Sequence, residues 1–201
     1  MLTALLTHPT IAQFATGGRL DTNDGKFSIW NVAWVAHALS DRSAHLFDAN
    51  IFYPHRSTLT YSELNLVAGV LAVPVYVVTR NPIAALNSAI LLALFICYLA
   101  MWALVRRLTG SSGAGLVAAA AYTFSAFTSS HTAQVQLLMI FALPLGLLAF
   151  HRLVQQPGLR TSVELGAAVA VAALACCPRS ASRRNAAWTR SAAGIEDRPL
   201  C

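Results

Sequence analysis

Charged residues are scarce in this sequence. They make up 11 % of its 201 residues, while apolar residues make up 56 %; a soluble domain carries about 25 % charged residues. Five of the fourteen basic residues lie beyond position 178. The positive charge is therefore local, and nucleic acid is not expected as a partner. The composition predicts an integral membrane protein whose immediate partner is the lipid bilayer.

Motifs for several common chemistries are also missing. The four cysteines, Cys97, Cys176, Cys177 and Cys201, form no CxxC pair, so their spacing indicates neither a disulfide framework nor a metal site. No P-loop, zinc spacing or Ser–His–Asp order is present. The N-terminus has no basic leader followed by a cleavage site, so no signal peptide is predicted. No residue is assigned to a metal.

Long apolar runs predict an all-α fold, a polytopic transmembrane helical bundle. We expect one membrane domain over residues 1–177, with spans at about residues 83–107, 113–128, 134–154 and 162–177. Asn81 is predicted to cap the helix of the first span, with Pro82 in its first turn, and Gly110 is predicted to end that helix. Residues 64–79 are too short for a good span and contain Pro74, so they predict a juxtamembrane or re-entrant helix.

A polar, aromatic-rich loop is predicted over residues 19–63. It holds five of the eight carboxylates and three of the six histidines. Phe27, Trp30 and Trp34 share the spacing of one helical face, which predicts a helix lying along the membrane surface. The positive-inside rule places this loop outside the cytoplasmic membrane if residues 64–79 do not cross, because Arg106 and Arg107 then share the cytoplasmic side with basic residues 151–160.

Residues 178–201 differ from the rest of the chain. They carry five arginines and no apolar periodicity, and they begin where the fourth span should continue. Our hypothesis is that this basic tail is a truncated or frame-shifted end.

Five segments carry a family resemblance: NDGKFSIWNVAWVAHAL, LFDANIFYPHR, LTYSELNLVAG, ALVRRLTGS and HTAQVQLLMIFALPLGLLAFHRLV. Together they resemble the N-terminal third of bacterial GT-C-type polytopic membrane glycosyltransferases, over about residues 7–176. The resemblance implies a multi-pass protein of the bacterial cell (inner) membrane with a long extracytoplasmic loop. It also implies transfer of a sugar from a polyprenyl-phosphate donor, with a loop carboxylate as base on the acceptor. The chain departs from the family in its incomplete first span, in lacking spans after the fourth, and in having Gln134 where histidine is frequent.

Asp24 matches the family's loop carboxylate and is the candidate catalytic base. The alternative is that Asp24 caps a helix beginning near Lys26. Asp21 is the second choice among the substrate-binding candidates, and its alternative role is that of an ordinary loop carboxylate. Glu63 is a candidate second carboxylate of the site, or else the partner of Thr60 in a capping box.

His55 and Arg56 are candidates for binding the donor phosphate, since arginine offers a two-pronged donor to phosphate oxygens. The alternative for Arg56 is an ion pair with lipid headgroups or with Asp48. His131 and Gln134 are candidates for contacting the substrate, because they lie between two spans on the side of the loop; Gln136 is a weaker one. Their alternative role is that of a plain polar link.

Two rival functions stay open. A transporter or flippase subunit for lipid-linked sugars would place polar groups inside its spans, whereas here the polar residues are concentrated in the loop, which favours an enzyme. An inactive truncated fragment is the second rival. No cofactor is expected with certainty, although some GT-C enzymes use a divalent cation, so that alternative is open too.

Overall fold

The computed structural model describes residues 13–18, 22–41, 45–61 and 63–176. All regular structure in these ranges is helical, which confirms the all-α fold class. Seven α-helices follow one another: α1 Asn23–Ser40, α2 Leu66–Thr79, α3 Pro82–Thr109, α4 Ser112–Thr123, α5 Ala126–Ser130, α6 Ala142–Gln155 and α7 Leu159–Cys176. Short 3₁₀-helices occupy Thr58–Tyr61 and Val135–Leu138. Asp21 and the basic tail lie outside the described residues.

Helix α3 is the central element, because α1, α2, α4 and α6 all pack against it. Its ends are the ones that the sequence predicts. The Asn81 side-chain oxygen accepts hydrogen bonds from the backbone N–H groups of Ile83 and Ala84 at 2.9 and 3.2 Å, and Gly110 ends the helix with a φ of 73°. The face of α3 toward its neighbours is rich in buried alanine, which lets the helices approach closely.

Two of the four predicted spans are interrupted. Helix α4 ends at Thr123, and the short α5 follows it. At the end of α5 the Ser129 and Ser130 hydroxyls donate to the backbone carbonyls of Ser125 and Phe127. In the next segment a 3₁₀-helix precedes α6, which begins at Ala142 and so places Pro144 in its first turn, where proline is tolerated.

Two segments of the described chain are long and apolar enough to cross a membrane, Pro82–Thr109 with 28 residues and Val135–Gln155 with 21. Only 39 % of the most apolar window of each is buried within the chain. A core helix of a soluble protein would be mostly buried. Helix α2, with 14 residues, is apolar but shorter than a span.

The basic residues of three helices meet at one end of the bundle. The Arg107 guanidinium donates to Gln155 Oε1 at 2.8 Å, which joins the C-terminal ends of α3 and α6. Glu164 of α7 forms ion pairs with Arg152 at 3.2 Å and with Arg160 at 3.5 Å. We call this set the basic end: Arg106, Arg107, His151, Arg152 and Arg160.

Candidate functional site

Helix α1 carries three of its polar side chains on one face. Asp24, Ser28 and Asn31 are spaced at i, i+4 and i+7, so they lie in a row. The helix begins at Asn23 rather than near Lys26, and Thr22 is its N-cap: the Thr22 hydroxyl accepts from the Gly25 N–H at 3.1 Å. The interpretation of Asp24 as the cap is therefore wrong. Its carboxylate lies in the first turn, where the helix dipole favours negative charge.

The link between α5 and α6 docks onto this face of α1. The Gln134 amide donates to Asp24 Oδ2 at 3.1 Å. One turn further along α1, the Ser28 hydroxyl donates to the Ala133 carbonyl at 2.9 Å. Two candidates that are 110 positions apart in sequence, Asp24 and Gln134, are thus in direct contact.

Glu63 lies beside the same cluster. The buried Asn31 amide donates to the Glu63 backbone carbonyl at 2.7 Å, which ties the end of the loop to α1. Burial raises the pKa of the Glu63 carboxyl, the negative charge of Asp24 raises it further, and the neighbouring Gln136 side chain opposes the shift. Two carboxylates and two glutamine amides therefore share one site, and we call Asp24, Glu63, Gln134 and Gln136 the carboxylate cluster.

The capping-box interpretation of Glu63 is wrong. Thr60 lies in the 3₁₀-helix Thr58–Tyr61, and its hydroxyl donates to the Ser57 carbonyl at 2.6 Å. Helix α2 starts at Leu66, and its N-cap is Asn65, whose side chain makes no capping bond. Glu63 precedes that helix by three residues, so its carboxyl is not used at a helix end.

Buried polar atoms without a protein partner collect around Glu63. They include Asn31 Oδ1, Gln136 Oε1 and both polar side-chain atoms of Asn65, whose backbone also adopts a left-handed φ of 43°. Burying such atoms without a hydrogen-bond partner costs free energy, so stability alone does not explain their presence. Their concentration at one place favours a functional site there.

Two tryptophans fasten residues 45–61 to α1. The Trp30 indole N–H donates to Asn50 Oδ1 and the Trp34 indole N–H to the Leu46 carbonyl, both at 3.0 Å. Within the segment, the Asp48 carboxylate accepts from the Ser57 backbone N–H. The tryptophans that the sequence assigns to the membrane boundary thus also hold the loop in place.

A cavity of about 740 Å³ lies between α1 and this segment. Its lining is mostly aromatic and aliphatic: Lys26, Phe27, Trp30, Asn31, Ile51, Phe52, His55, Thr58, Leu59 and Tyr61. We call it the loop cavity. Of the two phosphate-binding candidates, His55 lines it, whereas Arg56 is exposed on the same segment and does not.

His131 is not brought to the carboxylates by its side chain. Its Nδ1 lies 2.8 Å from the Phe127 carbonyl oxygen, and its ring stacks against the Phe127 ring at 4.3 Å between centroids. Only its backbone reaches the cluster, because the His131 carbonyl accepts from the Gln134 N–H at 3.0 Å. Within the described ranges, no three His, Cys, Asp or Glu side chains are grouped to hold a metal ion.

Sequence reasoning missed Ser28, Asn31 and Asn65 at this site, and Lys26 at the cavity. The signal for Ser28 and Asn31 was their helical spacing from Asp24, which places all three on one face. The comparisons with known proteins add nothing to the geometry: no family model, no curated protein and no solved structure matches this chain.

Proposed function

We propose that this chain is a membrane glycosyltransferase, or the N-terminal part of one, of the GT-C type. It transfers a sugar from a polyprenyl-phosphate donor to an acceptor on the outer side of the bacterial cell (inner) membrane, which it crosses several times. One observation carries the proposal: Asp24 contacts Gln134, and Glu63 from the other end of the loop lies near enough for the Asp24 charge to raise its pKa, in a site with buried unpaired polar atoms.

The membrane setting is supported by apolar side chains that face outward. On α3, Leu92, Phe95 and Leu99 are exposed at the spacing of one helical stripe, and α6 exposes a second stripe. That second stripe consists of Leu143, Leu147, Phe150 and Val154. Soluble proteins rarely expose apolar surface of this extent, whereas hydrocarbon chains of a bilayer cover it at no cost.

The orientation is supported by the separation of two kinds of residue. Gln134 and its partner Asp24 precede α6, and the basic end lies at the C-terminus of α6. The apolar segment Val135–Gln155, which ends in α6, has 21 residues and is long enough to cross a membrane. A cytoplasmic basic end therefore leaves the carboxylate cluster toward the outer side.

In the proposed reaction Asp24 is the base. The Gln134 amide binds one oxygen of the Asp24 carboxylate. Asp24 is exposed, so its other oxygen is accessible to the acceptor. The Asp24 carboxylate takes the proton of the acceptor hydroxyl, whose oxygen forms the new bond to the anomeric carbon. The bond from that carbon to the donor phosphate breaks, and polyprenyl phosphate leaves with the electron pair. Glu63, the second carboxyl of the cluster, contacts the sugar beside Asp24.

The remaining candidates have secondary roles in this proposal. His55 and Arg56 attract the donor phosphate from the loop, and His131 supports the link that carries Gln134. Asp21 keeps its place as a substrate-binding candidate from the sequence alone. A divalent cation is an expectation of the family resemblance alone, and no residue is assigned to one.

The transporter alternative is weakened by the polar residues of α3. The Asn87 amide donates to the carbonyls of Phe14 and Gly17 at 2.9 and 2.8 Å, and the Ser88 hydroxyl donates to Ala85. These groups are satisfied within the fold, so they do not line a substrate path. The interruption before Ala142 favours the transporter, since transporters place substrates at broken helices.

Sugar transfer in membranes tests the proposal. Membranes containing the chain are given a panel of radiolabelled polyprenyl-phosphate sugars, and label in the acceptor fraction is measured. We expect transfer from at least one donor, and none from membranes without the chain. Movement of intact lipid-linked sugar across vesicles without transfer would instead establish the transporter. Neither activity across the panel would leave the inactive fragment as the explanation.

A further inference from the structure

The loop cavity has an apolar interior and a polar mouth. Its buried members, Leu59, Thr58 and Asn31, form the floor, and the Thr58 hydroxyl is already used by the Ala49 carbonyl at 2.9 Å. Its exposed members, which form the mouth, are Lys26, Phe52, His55 and Tyr61. A volume of about 740 Å³ is in the range of small-molecule sites, which are mostly apolar with a few polar groups.

The charge at the mouth is positive. Lys26 is the sole lysine in the sequence and is exposed on the first turns of α1. Within the described ranges no ion pair joins the Lys26 ammonium to a carboxylate. An ammonium beside an apolar cavity complements a ligand that joins a hydrocarbon chain to an anion.

We propose that the loop cavity binds the hydrocarbon chain of an isoprenoid phosphate, with the phosphate held at the mouth by Lys26. The choice of an isoprenoid rests on the proposed function. The anion and the apolar cavity follow from the lining residues themselves.

This placement brings the ligand to the end of α1 that also carries Asp24. Lys26 and Asp24 are two residues apart in the first turns of α1, so their side chains lie on different sides of the helix. At the other end of the cavity, Asn31 lines the floor and donates to the Glu63 carbonyl. The loop cavity and the carboxylate cluster are therefore two sides of α1, joined through Asn31.

The single lysine gives a direct binding measurement. The full chain, in detergent micelles, is treated with an amine-acylating reagent, and mass spectrometry follows the acylation of Lys26 and of the N-terminal amine. The probe is farnesyl phosphate, with farnesol, inorganic phosphate and dihexanoyl phosphatidylglycerol in parallel. We expect farnesyl phosphate to slow acylation of Lys26 but not of the N-terminal amine, and the other three compounds to protect Lys26 weakly.

Two variants locate the site, with affinity measured by equilibrium binding of labelled farnesyl phosphate. Lys26→Gln should weaken binding by about 10-fold to 100-fold, the cost of a lost charge-assisted hydrogen bond. Its matched control is Arg80→Gln, on an exposed arginine at the end of α2. Ile51→Trp, on a half-buried cavity wall, should also weaken binding, whereas Val70→Trp on an exposed face of α2 should not.

The outcomes separate this inference from the proposed function. Unchanged acylation of Lys26 at saturating farnesyl phosphate overturns the inference even if sugar transfer occurs. Equal protection by phosphatidylglycerol overturns the isoprenoid as occupant, and equal protection by inorganic phosphate overturns the role of the cavity. Protection of Lys26 by farnesyl phosphate, lost in Ile51→Trp, supports the inference even if no sugar is transferred.

Discussion

Two regions of this chain differ in the part that side-chain hydrogen bonds play in holding them together. The polar layer, which is α1 with residues 45–61 and 63–65, is joined by side-chain hydrogen bonds such as those from Trp30, Trp34 and Asn31, in addition to an apolar cluster around Val35 and Leu59. The apolar bundle, which is α3, α4, α6 and α7, is packed through small residues; Gly115 of α4, for example, meets Trp102 of α3. Its side-chain bonds between helices cluster at the basic end.

The two regions also use their buried polar groups differently. In the bundle the Asn87, Ser88 and Tyr122 side chains donate to backbone carbonyls, and the buried Thr123 hydroxyl of α4 is without a partner. The polar layer leaves buried amide atoms unpaired beside Glu63, which the fold alone does not require. We infer that the bundle provides the position and the polar layer provides the chemistry. Substitutions that act on one region and spare the other test that division.

The largest contrast is expected for sugar transfer. Asp24→Asn removes the proposed base and should lower the transfer rate by about 100-fold or more. Glu164→Gln, its control in the bundle, removes a carboxylate that only pairs with Arg152 and Arg160, so transfer should be unchanged. Initial rates in membranes with matched protein levels measure both. Full activity in Asp24→Asn would remove Asp24 from the mechanism.

A single added methyl group should disrupt the packing between α1 and α2. A Cβ on Gly69 would overlap the Val35 side chain, so Gly69→Ala should destabilise the fold by about 1–3 kcal/mol. Gly146→Ala on α6 is the matched control, because no atom lies near its Cβ position. Thermal unfolding in detergent should give a lower Tm for Gly69→Ala alone. Equal Tm values for the two variants would contradict the close contact.

Features set by residues close together in the sequence could be predicted, whereas features without a local sequence pattern could not. The ends of α3 were predictable because caps act over three or four residues: Asn81 before the helix and Gly110 after it behave as their types require. The break after Thr123 was not, because the segment stays apolar and neither proline nor glycine occurs between Thr123 and Ala126 to mark it.

The site was predictable as a set of residues but not as an arrangement. Asp24, Glu63 and Gln134 were named from their chemistry and from the family resemblance. Their contact depends on the docking of the α5–α6 link onto α1 through Ser28 and Ala133, which are far apart in sequence. The local alternative for Glu63 failed for the same reason, since a capping box is a four-residue pattern and Asn31 is a distant partner.

The attachment of the loop to α1 should be weakened by one lost hydrogen bond. Trp34→Phe deletes the donor to the Leu46 carbonyl, at a cost of about 1 kcal/mol. Trypsin should then cut faster after the exposed Arg56, by about fivefold if local opening limits cleavage. Trp102→Phe, in the apolar bundle, is the control. An equal rate at Arg56 in both variants would show that the indole bond does not hold the segment.

The smallest effect is a dependence of stability on pH. Because the pKa of Glu63 is raised above 4.5, the folded state holds this proton more tightly than the unfolded state. Its contribution to stability is complete below pH 4.5 and is lost as the pH rises through the raised value. The Tm of the wild type should therefore fall relative to that of Glu63→Gln as the pH increases. If the Tm values of the two proteins changed with pH in parallel, the raised pKa of Glu63 would be refuted.

Labelling of two sites across the membrane tests the division most directly. In a background without native cysteines, His45→Cys marks the polar layer and Gln156→Cys marks the basic end, both at exposed positions. Intact cells are treated with a membrane-impermeant maleimide before and after permeabilisation. We expect His45→Cys to be labelled in intact cells and Gln156→Cys to be labelled only after permeabilisation. Labelling of both, or of Gln156→Cys alone, in intact cells would contradict it.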